Sequence, residues 1–284
     1  GHPGEPVGRN ANRIGGAKFT LNGVTYELAK NSAEVNNLHS GPDYYRDRIW
    51  DAEVEETALG TTITFGLHSP DGDQGYPGNA DITVSYTLTP DNCLKLDYHM
   101  VSDADTIANF TNHVYFNLGG YKSGSALDQK VWIDADYFTA TDANSIPTGE
   151  LVAVKGTPMD FTEMKPIGRD IQEDYQALKY GNGYDHNWAL NHPAGELSLS
   201  AKAEDEKTGR TMEVYTDLPG VQFYTANSLK TERGKNHAVY TPRCGYCFET
   251  QYFPDAINQP EFASPVIKAG EEYKTTTIYK FGVK

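Results

Sequence analysis

The chain has 284 residues and sets 24 Lys and Arg against 39 Asp and Glu, a formal charge of −15 at pH 7 spread along its length. That balance disfavours nucleic acid and anionic membrane surfaces as partners, and no run of about 18 apolar residues is present to cross a bilayer. The 27 Gly and 15 Pro fall between short apolar-alternating runs, the punctuation of an all-β chain, and at this length we expect one domain over residues 1–284.

In chain order, Phe19, Leu21, Val24, Tyr26 and Leu28 flank Asn22-Gly23, a pair suited to the two positive φ angles of a type I′ hairpin turn. Ile63, Phe65 and Leu67 alternate. So do Ile82, Val84, Tyr86 and Leu88, which lead through Thr89-Pro90-Asp91-Asn92 into Leu94, Leu96, Tyr98 and Met100 as a second hairpin. The stretch DGDQG at 71–75 begins like a calcium loop but lacks a glutamate at the twelfth position, so it reads as a Gly-rich turn. TNHVYFNLGG at 111–120 reads as a strand entering a Gly-Gly turn, with Val114, Phe116 and Leu118 on one face and His113, Tyr115 and Asn117 on the other.

Helix is scarce. Asp170 as N-cap with Glu173 three residues on, then Ile171, Tyr175 and Leu178, predicts one helix before Gly181. Further strands are expected at 195–203, 210–217, 221–226, 247–253 and 271–282. This pattern predicts a large antiparallel sandwich and not an α/β alternation. Three cysteines, Cys93, Cys244 and Cys247, are too few and too odd in number for a disulfide framework, which points to a reducing compartment and a cytoplasmic location. Gly1 opens no basic and apolar leader, although a removed signal would leave no trace. Cys244 and Cys247 form a C-x-x-C whose spacing along a strand sends the two thiols to opposite sides, a poor fit to a redox pair or half a zinc site.

Two more strands repeat the division seen at 111–120. Val221 and Phe223 oppose Gln222 and Tyr224; Tyr246, Phe248 and Tyr252 oppose Cys247, Glu249 and Gln251. Polar faces interleaved with tyrosine would line a wettable concavity suited to a sugar, whose hydroxyls need fixed donors and acceptors and whose C–H faces need flat rings.

The segments GRNANRI (8–14), NNLHSG (36–41), TNHVYFNLGG (111–120), GTPMDF (156–161), GYDHNW (183–188), LPGVQFYTAN (218–227) and CFETQYFPDAINQPEF (247–262) resemble, in order, those of the aldose 1-epimerase (galactose mutarotase) family. The resemblance implies the galactose mutarotase-like β-supersandwich, with interconversion of the α and β anomers of free aldohexoses such as galactose and glucose. It implies no metal and no organic cofactor, a monosaccharide as the partner, and a monomer or homodimer. Carried across by position, it makes Glu249 the general base and His113 the general acid, standing on opposite sides of the sugar ring. His113 would be held protonated by a nearby carboxylate while Glu249 stays ionised. Asn12, Arg13, His39, Asp185 and Gln222 would hold the sugar, with His39 near the ring oxygen. His186, beside Asp185, would face away and be structural.

Two departures accompany the resemblance. Ser40 stands where the family usually has a second glycine, and only Gly1 to Val7 precede the GRNANRI segment, so the family's first strands are expected to be lacking and a sheet edge left open. Competing readings are a glycoside hydrolase, for which Asp185 and Glu249 are the candidate carboxylates, and a sugar-binding module without catalysis. An epimerase of hexose 6-phosphates would need a basic cluster, which Arg13 and scattered lysines do not make.

Overall fold

Alternating side chains force strands to pair so that one face can leave water, and here the pairing yields two large sheets. The computed structural model describes residues 4–230 and 234–284; Gly1, expected to open no leader, lies outside the described residues. Nine strands run in the order Lys165–Pro166, Lys130–Ile133, Ser198–Glu204, Arg210–Thr216, Glu272–Val283, Cys93–Ser102, Ala80–Leu88, Gly60–Ser69 and Asp51–Thr57. Five more run in the order Pro147–Ala153, Tyr137–Thr141, Asp185–Ala189, Gly220–Tyr224 and Cys247–Gln251. Neighbours in both sheets pair antiparallel.

The central hairpin of the larger sheet matches its sequence signal. Val84 faces Tyr98 across the ladder, Leu88 faces Leu94, and Asn92 takes the positive φ of the turn, +63°. Ile82, Val84, Leu96, Tyr98 and Met100 are buried in the main core, each worth about 1.5–3 kcal/mol of transfer free energy. The Asn22-Gly23 hairpin also forms, with φ of +52° and +77°. Its Phe19 and Leu28 join Ile14, Ala17, Tyr76 and Ile107 in a satellite cluster. The edge strand Asp51–Thr57 is exposed throughout and carries Asp51, Glu53, Glu55 and Glu56, charges that oppose edge-to-edge pairing.

Two expectations need correction, and four strands had no sequence signal. The stretch 111–120 is a strand only over Thr111–Asn112, paired with Pro6–Val7, plus a single bridge between Phe116 and Tyr246. Asn117 turns its side chain onto the Gly119 N–H (2.9 Å) and the Cys244 carbonyl (2.8 Å), local bonds that replace the ladder. The helix begins later than expected, at Gln176–Gly181, because Asp170 accepts from Lys165 Nζ (2.7 Å) instead of capping the helix. Strands at 51–57, 130–133, 137–141 and 147–153 had no clear sequence signal and form by pairing with neighbours.

The DGDQG stretch is indeed a turn: Asp71 accepts from the Gly78 N–H (2.6 Å) and Asp73 from Arg48 (2.7 Å). Cys244 lies in the loop before Cys247–Gln251, and all three cysteines are unpaired thiols. No helix among the described residues is long and apolar enough to cross a membrane.

Candidate active site

The smaller sheet sorts its residues into rows. Asp185, Tyr224 and Cys247 lie side by side across three strands; Asn187, Gln222 and Glu249 form the next row; Gly220 and Gln251 pair in the third. All point to one face. The opposite face carries His186, Phe223 and Phe248 in one row and Trp188 and Val221 in the next, and it packs the core, with Phe223 and Phe248 stacked at 5.2 Å. His186 is therefore structural, as its parity predicted: its Nε2 meets the Ala177 carbonyl at 3.0 Å and burial pushes its pKa down to about 4.

Two loops close over the polar face. Arg13–Ile14 pairs with Asn37–Leu38, which brings the GRNANRI and NNLHSG segments together. Asn12 and His39 then lock to each other: the His39 N–H donates to the Asn12 carbonyl (2.9 Å) and the Asn12 N–H donates to His39 Nδ1 (3.0 Å). Both adopt left-handed backbone, φ +62° and +54°, conformations that non-glycine residues hold only when their surroundings enforce them. Ser40 adds a hydroxyl to this loop. It accepts from the Asn10 N–H (2.9 Å), donates to the Asn10 carbonyl (3.0 Å) and lies 3.0 Å from the Tyr76 hydroxyl, so the departure from glycine ties the loop down and does not crowd it.

His113 enters from the end of Thr111–Asn112. Its backbone is held by the Gly4 N–H and the Glu5 carbonyl, and its ring lies between Tyr115 and Tyr224 with centroids at 5.1 and 6.0 Å. A cavity of about 230 Å³ results, lined by Asn12, Arg13, Leu38, His39, His113, Tyr115, Asp185, Gln222, Tyr224, Ser228 and Glu249. It is smaller than sites for drug-sized ligands, roughly 300–1,000 Å³, which suits a single sugar ring. All seven residues singled out in the sequence line it. A larger groove of about 1030 Å³ beside Asp136, Tyr137 and Arg169 is open, and its Arg169 is engaged by Asp170 at 3.0 Å.

Within the cavity His113 Nε2 lies 3.5 Å from Glu249 Oε1, both side chains almost wholly buried. That separation leaves no room for a ring between them, so the two groups stand side by side and not on opposite sides of a sugar. Nor does Glu249 sit as an ordinary carboxylate. Burial pushes its pKa well up, Asp185 adds to the rise and Arg13 opposes it. A carboxyl raised in this way is a stronger base nearer neutral pH. Glu249 Oε2 and Arg13 Nε are both buried without a hydrogen-bond partner among the described residues. Cys247 Sγ lies 3.4 Å from His113 Nδ1, and burial pushes the thiol well above its usual range, so a neutral sulfur supports the imidazole.

The two histidines differ in what their surroundings permit. A backbone N–H can only donate, so His39 Nδ1 is an acceptor and the ring keeps its proton on Nε2. His39, His113 and Glu249 each bring a potential metal-ligand atom within 4.8 Å of the others. Metal-bound histidine, however, donates its second ring N–H outward, and His39 does the reverse. The trio fits donors and acceptors for oxygen better than a cation. Sequence reasoning assigned no role to Asn187 or Gln251, although both share parity with assigned residues, Asp185 and Glu249, two positions away.

Fold and cavity together describe a β-sandwich protein with a buried histidine–carboxyl pair in a small polar cavity. The aldose 1-epimerase family model matches residues 1–280. The chain is 42% identical to galactose mutarotase of Sus scrofa over 285 residues (99% of this chain, 80% of that protein). It is 35% identical to aldose 1-epimerase of Escherichia coli K12 over 280 residues (98% of this chain, 79% of that protein). Among solved structures it resembles galactose 1-epimerase from Lactobacillus acidophilus, with TM-score 0.86, 27% identity, and coverage of 99% of this chain and 80% of that one. The chain belongs to the aldose 1-epimerase family, and it spans about four fifths of the length of these curated relatives.

Proposed function

We propose that Glu249 and His113 together open and reclose the ring of a free aldohexose, so that the chain interconverts its α and β anomers. As a member of its family the chain is an isomerase, and the hydrolase and binding-module readings are not favoured. The observation that carries the catalytic assignment is the 3.5 Å pairing of His113 and Glu249 in the cavity that also holds Arg13, Asp185 and Gln222. The anomeric hydroxyl oxygen and the ring oxygen are both attached to C1, so two groups side by side can serve both atoms at once. Glu249 takes the proton of the C1 hydroxyl while His113 gives one to the ring oxygen; the C1–O5 bond breaks and C1 becomes an aldehyde. After rotation about C1–C2, the C5 hydroxyl returns its proton to His113 as it attacks the other face, and Glu249 gives its proton back to O1. Protons and electron pairs balance over the cycle.

His39 presents Nε2–H as a donor toward the ring oxygen. Arg13 supplies a rigid fork of donors and Asp185 supplies acceptors for neighbouring hydroxyls, while Tyr115 and Tyr224 offer flat surfaces to C–H groups. Galactose and glucose are the substrates to try first, since relatives carry the name galactose mutarotase. The three unpaired thiols suit a reducing compartment, and we place the enzyme in the cytoplasm. Polarimetry on fresh α-galactose and α-glucose tests the assignment. The chain should speed mutarotation and Glu249→Gln should lower turnover at least about a hundredfold; undiminished turnover in that variant would rule Glu249 out as the base.

A further inference from the structure

We propose that Gln251 is a positioning residue that links Asn12 to Gln222 and holds both amides in place, and so keeps the Asn12, Gln222 and Asp185 side chains set toward the sugar; this rests on the sugar-binding reading of those three residues. Gln251 is fully buried, two residues from Glu249 on the same face of its strand. Its Oε1 accepts from Asn12 Nδ2 at 3.4 Å, and its Nε2 donates to Asn187 Oδ1 at 3.1 Å and to Gln222 Oε1 at 3.4 Å. Gln222 Nε2 in turn donates to Asp185 Oδ1 at 2.8 Å.

An amide can point either way, so a chain of three amides has no direction of its own. Its two ends supply one. At the first end, Asn12 Oδ1 accepts from the Arg13 backbone N–H at 2.9 Å, a group that can only donate, which leaves Asn12 Nδ2 for Gln251. At the other end, the Asp185 carboxylate can only accept, which requires Gln222 to present its Nε2. Only one orientation of Gln251 satisfies both ends, with carbonyl toward Asn12 and amide nitrogen toward Gln222. Asp185 then has Oδ1 engaged, and its second oxygen is the one available to a hydroxyl. The backbone leaves space for this arrangement: a Cβ on Gly220, directly opposite Gln251, would lie 2.5 Å from Asn187 Oδ1.

The positioning role separates from a merely structural one in the division between KM and kcat. Gln251→Leu removes both ends of the link. Gln251→Glu keeps the shape but cannot donate to Gln222 when ionised, so the Gln222 carbonyl loses the donor that holds it in place. Polarimetric rates on α-galactose are compared for wild type, Gln251→Leu, Gln251→Glu, Gln222→Leu, Asp185→Asn and the Gln222→Leu/Gln251→Leu pair. Both Gln251 variants should raise KM at least about tenfold while kcat per active site changes less. Because Gln251 and Gln222 act as one hydrogen-bonded unit, the pair should raise KM by less than the product of the two single effects. Gln251→Glu should also move the acid limb of kcat/KM to higher pH, as a second buried carboxyl near Glu249 favours its protonation. If Gln251→Leu does not fold, Gln251→Glu carries the KM test alone. KM within twofold of wild type in the folded Gln251 variants, or KM effects that multiply in the pair, overturns the proposal. If Gln222→Leu and Asp185→Asn also leave KM unchanged, the sugar-binding reading itself falls; if they raise it and Gln251 variants do not, only this inference does.

Discussion

The nine-stranded sheet alternates buried and half-buried side chains along its central hairpin, whereas the last two strands of the five-stranded sheet are buried on both faces and carry much of the candidate site. Burying a polar face costs free energy unless each group finds a partner. The smaller sheet meets part of that cost with its amide chain and leaves Glu249 Oε2 and Asn187 Nδ2 unmet among the described residues. Both sheets contribute core residues, but only the small one also buries a polar face, which sets a stability cost against the candidate site.

Substitutions can sharpen or break that contrast. The largest effect is expected at His113→Asn, which keeps a polar side chain but removes the acid; turnover by polarimetry should fall about 10² to 10⁴-fold with little change in the thermal midpoint. A loss confined to stability would move His113 out of the reaction. Leu96→Ala, in the middle of the large sheet, should cost about 2–5 kcal/mol by urea unfolding with turnover per folded molecule unchanged. A matching fall in turnover would show that the two sheets are not separable.

Glu249→Gln should have the opposite sign in stability. The folded carboxyl is raised above its ordinary value, so the stability it contributes is full below the unfolded pKa of about 4.3 and is lost as pH rises through the folded one. Removing the ionisable group should therefore raise stability at pH 7, with the gain closing toward pH 4 in paired thermal melts. A variant less stable than wild type at pH 7 would contradict the view that the site is costly. Smallest of all, Val54→Thr on the exposed edge strand should shift stability by less than about 0.5 kcal/mol and leave mutarotation alone.

Legibility followed the same divide. The hairpins at Asn22-Gly23 and Pro90-Asp91-Asn92 were readable because turn chemistry and alternation agree. The resemblance of seven ordered segments placed all the candidate site residues, yet not their arrangement. Arg9 and Arg13 stand four residues apart in one motif and look alike in sequence. In the fold, Arg9 is fully buried and donates to the carbonyls of Pro77 and Gly78 at 2.9 Å as a structural anchor, while Arg13 lines the cavity. The segment around His113 misled for a related reason, since Asn117 satisfied the turn locally and the alternation there never became a ladder.

What the sequence by itself determined was local: which residues alternate, where the chain turns, and which chemical groups are present in which order. Tertiary structure decided that a carboxylate and an imidazole 136 positions apart, Glu249 and His113, share one cavity at 3.5 Å. It also decided that His39 keeps its proton on Nε2 and that Gln251 points one way only. The physical reason is that proton positions, burial and hydrogen-bond direction depend on neighbours that strand pairing brings together, and alternation along a chain carries no information about which strand lies alongside.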